Sequence, residues 1–331
     1  MSETTTPPTP LRSAFPVSPE VQALLDLPAV RDRESNFAEP WDEDRVSTIL
    51  HGLRTAPLSG PAGFPVAEVR DTTIAGTGVR IYRPASDAPL PISVFFHGGG
   101  WAFGDLDTQD FACRAMANSS RTLVISVDYG LAPENPFPGP LDECIAVTRE
   151  IISLAADLGG DPARLVLTGA SSGGNLAAAV ALDAVAGGWG TPAALVLVYP
   201  PLDATTASES YSANASGYNL SATEMRFYWQ MYHQGKVDLR DPRLSPLFAD
   251  DLSGLPPTLV FTAEYDVLRD EGEQFAERLI AQGVPTYQRR YDGTIHGFMG
   301  LGHLSADTGH ALHEIGLWLR EQVWMPRRDG D

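Results

Sequence analysis

Gly169-Ala170-Ser171-Ser172-Gly173-Gly174 joins the apolar run Leu165-Val166-Leu167 to an alanine-rich segment, Asn175–Leu182. A serine with glycine two places before it and two places after it, at a strand-to-helix junction, is the pattern of a nucleophile elbow. So sharp a turn strains the serine backbone and brings neighbouring chain close to positions 169 and 173, where only glycine fits without a Cβ clash. The hydroxyl is then held at the edge of a sheet, at the positive end of a helix. Ser171 is the expected nucleophile, not Ser172, because only Ser171 sits between the two spaced glycines.

Outward from the elbow, the chain alternates strand-like and helix-like segments from residue 66 onward. Strands are expected at Glu68–Ile74, Val79–Arg83, Ile92–Phe96, Leu123–Val127, Leu165–Thr168, Ala194–Val198, Thr258–Thr262 and Thr286–Tyr291. Continuous apolar runs such as Leu195-Val196-Leu197-Val198 suit strands buried on both faces of a parallel sheet. Helical patterns fall between them, at Thr108–Asn118, Leu141–Leu158, Asn175–Ala186, Glu271–Gln282 and Ala306–Val323. This order predicts a mostly parallel, doubly wound eight-stranded sheet with helices on both sides. No helix separates the first strands, so that edge is expected to be antiparallel.

Two stretches stand outside the alternation. Residues 1–60 carry helical patterns, Pro19–Leu27 and Asp42–Leu53, before any strand. Residues 203–255 carry a polar stretch and then an aromatic helix, Ser221–Gln234, with Phe227, Tyr228, Trp229 and Tyr232. An insertion after a strand end, where catalytic loops gather, reads as a cap. The alternative is extra helices packed elsewhere. The expected division is therefore an N-terminal arm with cap helices over 1–60, an α/β core over 61–202 and 256–331, and a cap insertion over 203–255.

Composition removes several function classes. The 331 residues carry 23 Lys and Arg against 42 Asp and Glu, a net charge of −19, which disfavours nucleic acid and anionic membrane as partners. Lys236 is the only lysine, so Schiff-base and P-loop chemistry are nearly excluded. No run of eighteen apolar residues offers a membrane span. Met1–Pro16 is rich in Thr and Pro, lacks a basic or apolar leader, and is expected to be a disordered arm. Cys113 and Cys144 lie in helical patterns and read as free core thiols of a reducing cytoplasm. A cytoplasmic location follows from that reading, and no metal or organic cofactor is expected.

A serine hydroxyl needs a base to take its proton and a third group to orient that base. Partners in the order Ser, acid, His occur after the elbow. Glu264-Tyr265-Asp266 follows the strand Thr258–Thr262, and His296-Gly297-Phe298 follows Thr286–Tyr291. Both stand at C-terminal strand ends, the rim that Ser171 occupies. Of seven histidines, His303, His310 and His313 fall in or near the last helix, and His51 and His233 in the extra helices. Glu264, Asp270 and Glu271 compete with Asp266 for the acid, and Asp266 is preferred. A fourth element, His97-Gly98-Gly99-Gly100-Trp101, follows Ile92–Phe96. Its glycines leave N–H groups open toward a developing oxyanion, and the Ser172 N–H adds another donor.

These motifs resemble the hormone-sensitive-lipase-like, HGGG-containing family of α/β-hydrolase esterases over roughly residues 90–300. Asp128-Tyr129-Gly130-Leu131-Ala132-Pro133-Glu134 and Asp266-Val267-Leu268-Arg269-Asp270-Glu271 add to the likeness. The resemblance implies an α/β-hydrolase fold and a triad of Ser171, His296 and Asp266. It also implies an oxyanion hole from the N–H groups of Gly99, Gly100 and Ser172, with Gly98 shaping the loop. A cap built from the N-terminal segment and an insertion after the sixth strand is a further implication. The chain departs from the family where Asp usually stands at Ala170, Ala at Ser172 and Arg at Gly130.

The expected activity is hydrolysis of small-molecule esters with short- to medium-chain acyl groups, through an acyl-enzyme. Amide cleavage by the same triad and a non-catalytic binding role on this scaffold are the alternatives. Trp101, Phe227 and Tyr228 are expected either to line an apolar acyl pocket or to pack the cap. The last strand, Thr286–Tyr291, is an expected sheet edge that either pairs with a second copy or is kept monomeric by Arg289 and Arg290.

Overall fold

The computed structural model describes residues 16–56, 63–302 and 305–324. The Met1–Pro16 arm, save Pro16, and His303 lie outside them. Three helices come first: α1 Pro19–Leu25, α2 Pro28–Arg31 and α3 Glu43–Thr55. Strands β1 Glu68–Ile74, β2 Thr77–Arg83 and β3 Leu90–Phe96 follow. Then come α4 Asp110–Ser120, β4 Leu123–Asp128, α5 Gly139–Ser153, β5 Gly160–Ala170, α6 Ser172–Gly187 and β6 Ala194–Val198. Helices α7 Ser210–Ala213 and α8 Ala222–His233 stand between β6 and β7 Thr258–Tyr265. Helix α9 Arg269–Ala281, β8 Thr286–Ile295 and α10 Ala306–Val323 complete the order.

The eight strands form one sheet in the order β1-β2-β4-β3-β5-β6-β7-β8. Only the pairs β1–β2 and β2–β4 are antiparallel. From β4 through β8 every pair is parallel. The antiparallel edge is therefore where helices are missing from the sequence, since a parallel pair needs a crossover and a hairpin does not.

Side chains alternate between two cores, as the period of a strand requires. Val94, Phe96, Leu167, Leu197 and Val260 face one core with α5, α6 and α9. Phe95, Val166, Val196, Leu259 and Phe261 face the other with α4 and α10. All eight residues of β7 are buried, so both faces of this strand are covered. That is why its sequence, Thr258-Leu259-Val260-Phe261-Thr262-Ala263, shows no polar alternation. Cys113 and Cys144 are buried free thiols within α4 and α5.

Strand β8 is a sheet edge, as expected. Arg289 and Arg290 on it are engaged within the chain, Arg289 with Glu314 at 2.7 Å and Arg290 with Glu273 at 2.5 Å. The N-terminal segment packs on α8, where Phe37 meets Phe227 edge-on at 5.3 Å and Tyr228 at 5.8 Å.

One consequence of the topology positions everything that follows. Because β3, β5, β7 and β8 run in one direction, the residue after each lies on the same edge of the sheet. Those residues are His97, Ser171, Asp266 and His296. A doubly wound sheet gathers its reactive loops at this edge.

Candidate active site

Ser171 occupies the turn between β5 and α6 with φ 54° and ψ −129°. For a residue with a Cβ this conformation is strained, at a cost of order 1–3 kcal/mol. The strain is held by a backbone bond from Ser171 N–H to the Val198 carbonyl at 2.9 Å and by the Gly174 N–H on the Ser171 carbonyl at 2.8 Å. The close approach expected at the second elbow glycine is present. A Cβ on Gly173 would collide with the carbonyl of Phe96. Glycine there lets α6 seat its first turn directly on the end of β3.

The Ser171 hydroxyl lies 2.9 Å from His296 Nε2, and His296 Nδ1 lies 2.7 Å from Asp266 Oδ2. A carboxylate facing Nδ1 accepts a proton that this nitrogen carries. Nε2 is then the bare nitrogen, directed at the serine. The second Asp266 oxygen accepts the Leu268 N–H at 2.9 Å. Asp266 is fully buried and His296 is 9% exposed, so solvent competes little for either bond.

The competing acids are occupied elsewhere. Glu264 accepts the Gly293 N–H at 2.6 Å, Glu271 accepts the Leu202 N–H at 3.0 Å, and Asp270 accepts the Ser210 N–H at 2.7 Å. Three side chains that the sequence reading missed support His296 or its partner. Asn219 donates its amide to the His296 carbonyl at 3.1 Å, and Asn214 donates to the Asp266 carbonyl at 2.9 Å. The Tyr199 ring leans on the imidazole with centroids 4.6 Å apart. Nothing in a lone Asn of a polar stretch marks it for this in the sequence.

Gly98, Gly99 and Gly100 line the same cavity as Ser171 and His296. Gly99 has φ 128°, and a Cβ there would overlap the Phe103 carbonyl, so this loop closes only with glycine. Its carbonyl accepts the N–H groups of Ala102 and Phe103, both at 3.0 Å. Among the described residues no backbone acceptor is bonded to the N–H of Gly99 or Gly100. Ser172 is the first residue of the 16-residue helix α6, so its N–H has no intrahelical acceptor. The helix N-terminus adds favourable potential for negative charge.

His97 sits behind this loop. Its Nδ1 donates to the Gly98 carbonyl at 2.8 Å, and its ring stacks on Tyr129 at 4.1 Å. Tyr129 donates its hydroxyl to the His97 carbonyl at 2.7 Å. Burial pushes the His97 imidazole down to about 4, which keeps it neutral.

The cavity measures about 260 Å³ and is lined further by Phe103, Leu220, Met225, Tyr228, Glu224 and Arg33. Of the three residues expected at the acyl pocket, only Tyr228 lines it. Trp101 is fully buried and stacks on Tyr232 at 4.4 Å with an interplanar angle of 4°, beside Trp229. Its φ of 58° turns the ring away from the loop it follows and into the core. Phe227, also fully buried, packs between Phe37 and Trp41. Successive helical residues point about 100° apart, so Phe227 and Tyr228 cannot share a wall.

The three departures in the motifs have local answers. Ala170 is 7% exposed and packs among the apolar residues of the second core. Ser172 is 1% exposed, and its hydroxyl has no partner among the described residues. At Gly130 the N–H donates to Glu143 at 2.7 Å, and Asn135 donates to the same carboxylate at 2.7 Å. A side chain at 130 would run into Asn135.

Comparison with known proteins finds chains similar to this one in sequence and fold. A family model described as the alpha/beta hydrolase fold matches residues 93–300. Carboxylic ester hydrolase LipN of Mycobacterium tuberculosis is 37% identical over 292 residues, covering 85% of this chain and 77% of that protein. An arylesterase of Saccharolobus solfataricus is 39% identical, covering 71% and 78%. A crystal structure of an alpha/beta hydrolase enzyme from the metagenome of Lake Arreo superposes with a TM-score of 0.84. It is 38% identical and covers 93% of this chain and 99% of the other.

Proposed function

Because this chain belongs to the hormone-sensitive-lipase-like esterases of the alpha/beta hydrolase fold and is a serine carboxylesterase, we propose that Ser171, His296 and Asp266 are its catalytic triad. The observation that carries this reading is the unbroken relay of 2.9 Å and 2.7 Å from the Ser171 hydroxyl through His296 to Asp266.

The chemistry follows from the two faces of the imidazole. His296 Nε2 takes the hydroxyl proton as Ser171 Oγ forms its bond to the ester carbonyl carbon. The carbonyl oxygen becomes an anion and is held by the N–H groups of Gly99, Gly100 and Ser172 at the head of α6. Each such donor is worth about 10²–10³ in rate. The ester C–O bond then breaks, and the alcohol leaves with the proton from His296. Water, deprotonated by the same nitrogen, attacks the acyl carbon, the bond to Ser171 Oγ breaks to release the acid, and His296 returns the proton to Ser171. The Nδ1 proton stays on the imidazole throughout, with Asp266 accepting its hydrogen bond, so the ring never turns its wrong nitrogen to the serine.

A cavity of about 260 Å³ lies just below the usual range of roughly 300–1,000 Å³ for ligand sites. It suits esters with short to medium acyl chains. The N-terminal helices and the 203–255 insertion together form the cap. The contact of Phe37 with Phe227 and Tyr228 supports that joint role. The protein works on small-molecule esters, and among the described residues no helix is long and apolar enough to cross a membrane.

The test compares p-nitrophenyl esters of increasing acyl length with matched anilides, for the wild type and Ser171→Ala. Ester cleavage that disappears in Ser171→Ala supports the reading. Unchanged cleavage in that variant, or faster cleavage of anilides than of esters, overturns it.

A further inference from the structure

The catalytic cavity has a neighbour. A second cavity of about 800 Å³ lies between α3 and the 33–37 segment, with Phe37, Ile49 and Leu53 among its apolar walls. Two residues line both cavities, Arg33 and Phe103. Arg33 comes from the N-terminal segment, and Phe103 from the turn after the triple-glycine loop.

Arg33 is fixed in that position. Its Nη2 donates to the Glu224 carboxylate on α8 and, at 3.4 Å, to the Tyr228 hydroxyl, which itself donates to Glu224 at 2.7 Å. The Glu224 side chain is 1% exposed and the Arg33 side chain 30%. A carboxylate buried that deeply does not release its cation readily, since that would leave an unpaired buried charge. Arg33 is therefore a wall and not a swinging surface side chain. Phe103 closes the remainder, with its ring 5.9 Å from that of Tyr228.

We propose that Arg33 and Phe103 form the partition that sets substrate length, with the larger cavity being the space a longer ester arm enters when the partition is removed. The inference rests on the esterase reading and goes beyond it by naming which residues limit the substrate. With the partition in place, the reacting ester has only the small chamber, which favours short arms. Without it, the two volumes join and the apolar walls beyond accept further methylenes. Each methylene so buried is worth about fourfold in kcat/KM.

The experiment uses the full chain and two series of esters. One is p-nitrophenyl esters from acetate to decanoate, and the other is alkyl acetates from ethyl to decyl. Together they identify whether the acyl or the alcohol arm meets the partition. Arg33→Ala is made together with Glu224→Gln, so that no buried carboxylate loses its partner. Phe103→Ala is made separately and leaves the ion pair intact.

In either variant the ratio of kcat/KM for decyl or decanoyl substrates over acetate or ethyl rises about tenfold or more in at least one series. Profiles that keep the wild-type shape in both series, scaled or not, overturn the proposal. If the double variant fails to fold, Phe103→Ala decides alone by the same ratio. Loss of acetate cleavage in Ser171→Ala is read separately. Its failure would strike the esterase reading and not the partition.

Discussion

The guanidinium of Arg54, on α3, donates through Nε to the carbonyl of Ala102 at 2.9 Å. Ala102 closes the turn that begins at Gly99, so a helix of the N-terminal segment is tied to the triple-glycine loop beside Ser171. The same side chain donates to the Ala132 carbonyl at 2.9 Å and grips Glu134 at 2.7 and 2.8 Å. The Ala132 N–H in turn donates to the Trp101 carbonyl at 2.8 Å. One planar cation thus braces two loops, at 99–102 and 132–134.

If that brace fixes the donors of Gly99 and Gly100, its loss shows in kcat before KM. Arg54→Ala is expected to lower kcat by about tenfold, the scale of one charge-assisted hydrogen bond. Arg54→Lys recovers little, because an ammonium cannot fork to several acceptors. Steady-state kinetics of the two variants on p-nitrophenyl acetate checks this. A kcat equal to wild type in Arg54→Ala would show that the loop holds itself.

Asp266→Asn keeps the size of the orienting side chain and removes its charge. Its amide can present an N–H to Nδ1, which favours the tautomer with the proton on Nε2, facing Ser171. The expected fall in kcat at neutral pH is about four orders of magnitude, the scale of this change in serine proteases. Single-turnover kinetics with an activated ester measures it. A loss under tenfold would remove Asp266 from the triad.

Ser172 stands next to Ser171 and has a hydroxyl of its own, yet the proposed mechanism takes only a backbone donor from it. Ser172→Ala keeps the N–H and removes a buried hydroxyl without a partner. Activity is expected to stay within about threefold of wild type and stability within about 1 kcal/mol, since an unpartnered hydroxyl contributes little. Urea unfolding together with ester kinetics tests both. Inactivation by this substitution would transfer the nucleophile role to Ser172.

His97 should make the fold sensitive to acid. Its imidazole is held down to about 4 in the fold, against about 6.5 in the unfolded chain. The unfolded state therefore binds the extra proton first. The stability is fully present above about pH 6.5 and is lost as pH falls toward about 4. The full effect is about 3 kcal/mol. Urea unfolding of the wild type and His97→Asn at pH 7 and pH 5 checks it. The wild type should lose more stability between the two pH values than the variant, and equal losses would refute the assignment.

The elbow, the strand ends and the order of the proposed triad along the chain were legible in the sequence because each is set by local pattern. A Cβ at Gly169 strikes the Gly173 carbonyl, so glycine is required by the turn itself. The runs of β6 and β7 carry their burial in their composition. Because Ser171, Asp266 and His296 each come directly after a parallel strand, strand order alone brought them to one edge.

The pocket was not legible in this way. Trp101 is next to the triple glycine in sequence, yet its backbone sends the ring into a stack with Tyr232. Phe227 and Tyr228 are neighbours on one helix, and the helical rotation separates their roles. Arg33 and Arg54 carry no motif. Arg33 reaches Glu224 across 191 positions, and Arg54 reaches Ala102 across 48.

The sequence by itself determined that Ser171, Asp266 and His296 stand at strand ends on one edge of the sheet, because strands, tight turns and glycines are short-range constraints on the backbone. The tertiary structure decided which side chains line the cavity beside Ser171 and which brace the triple-glycine loop. Those contacts form only when the N-terminal helices and α8 close over the sheet. That packing depends on burial and charge pairing between distant segments, which no local pattern encodes.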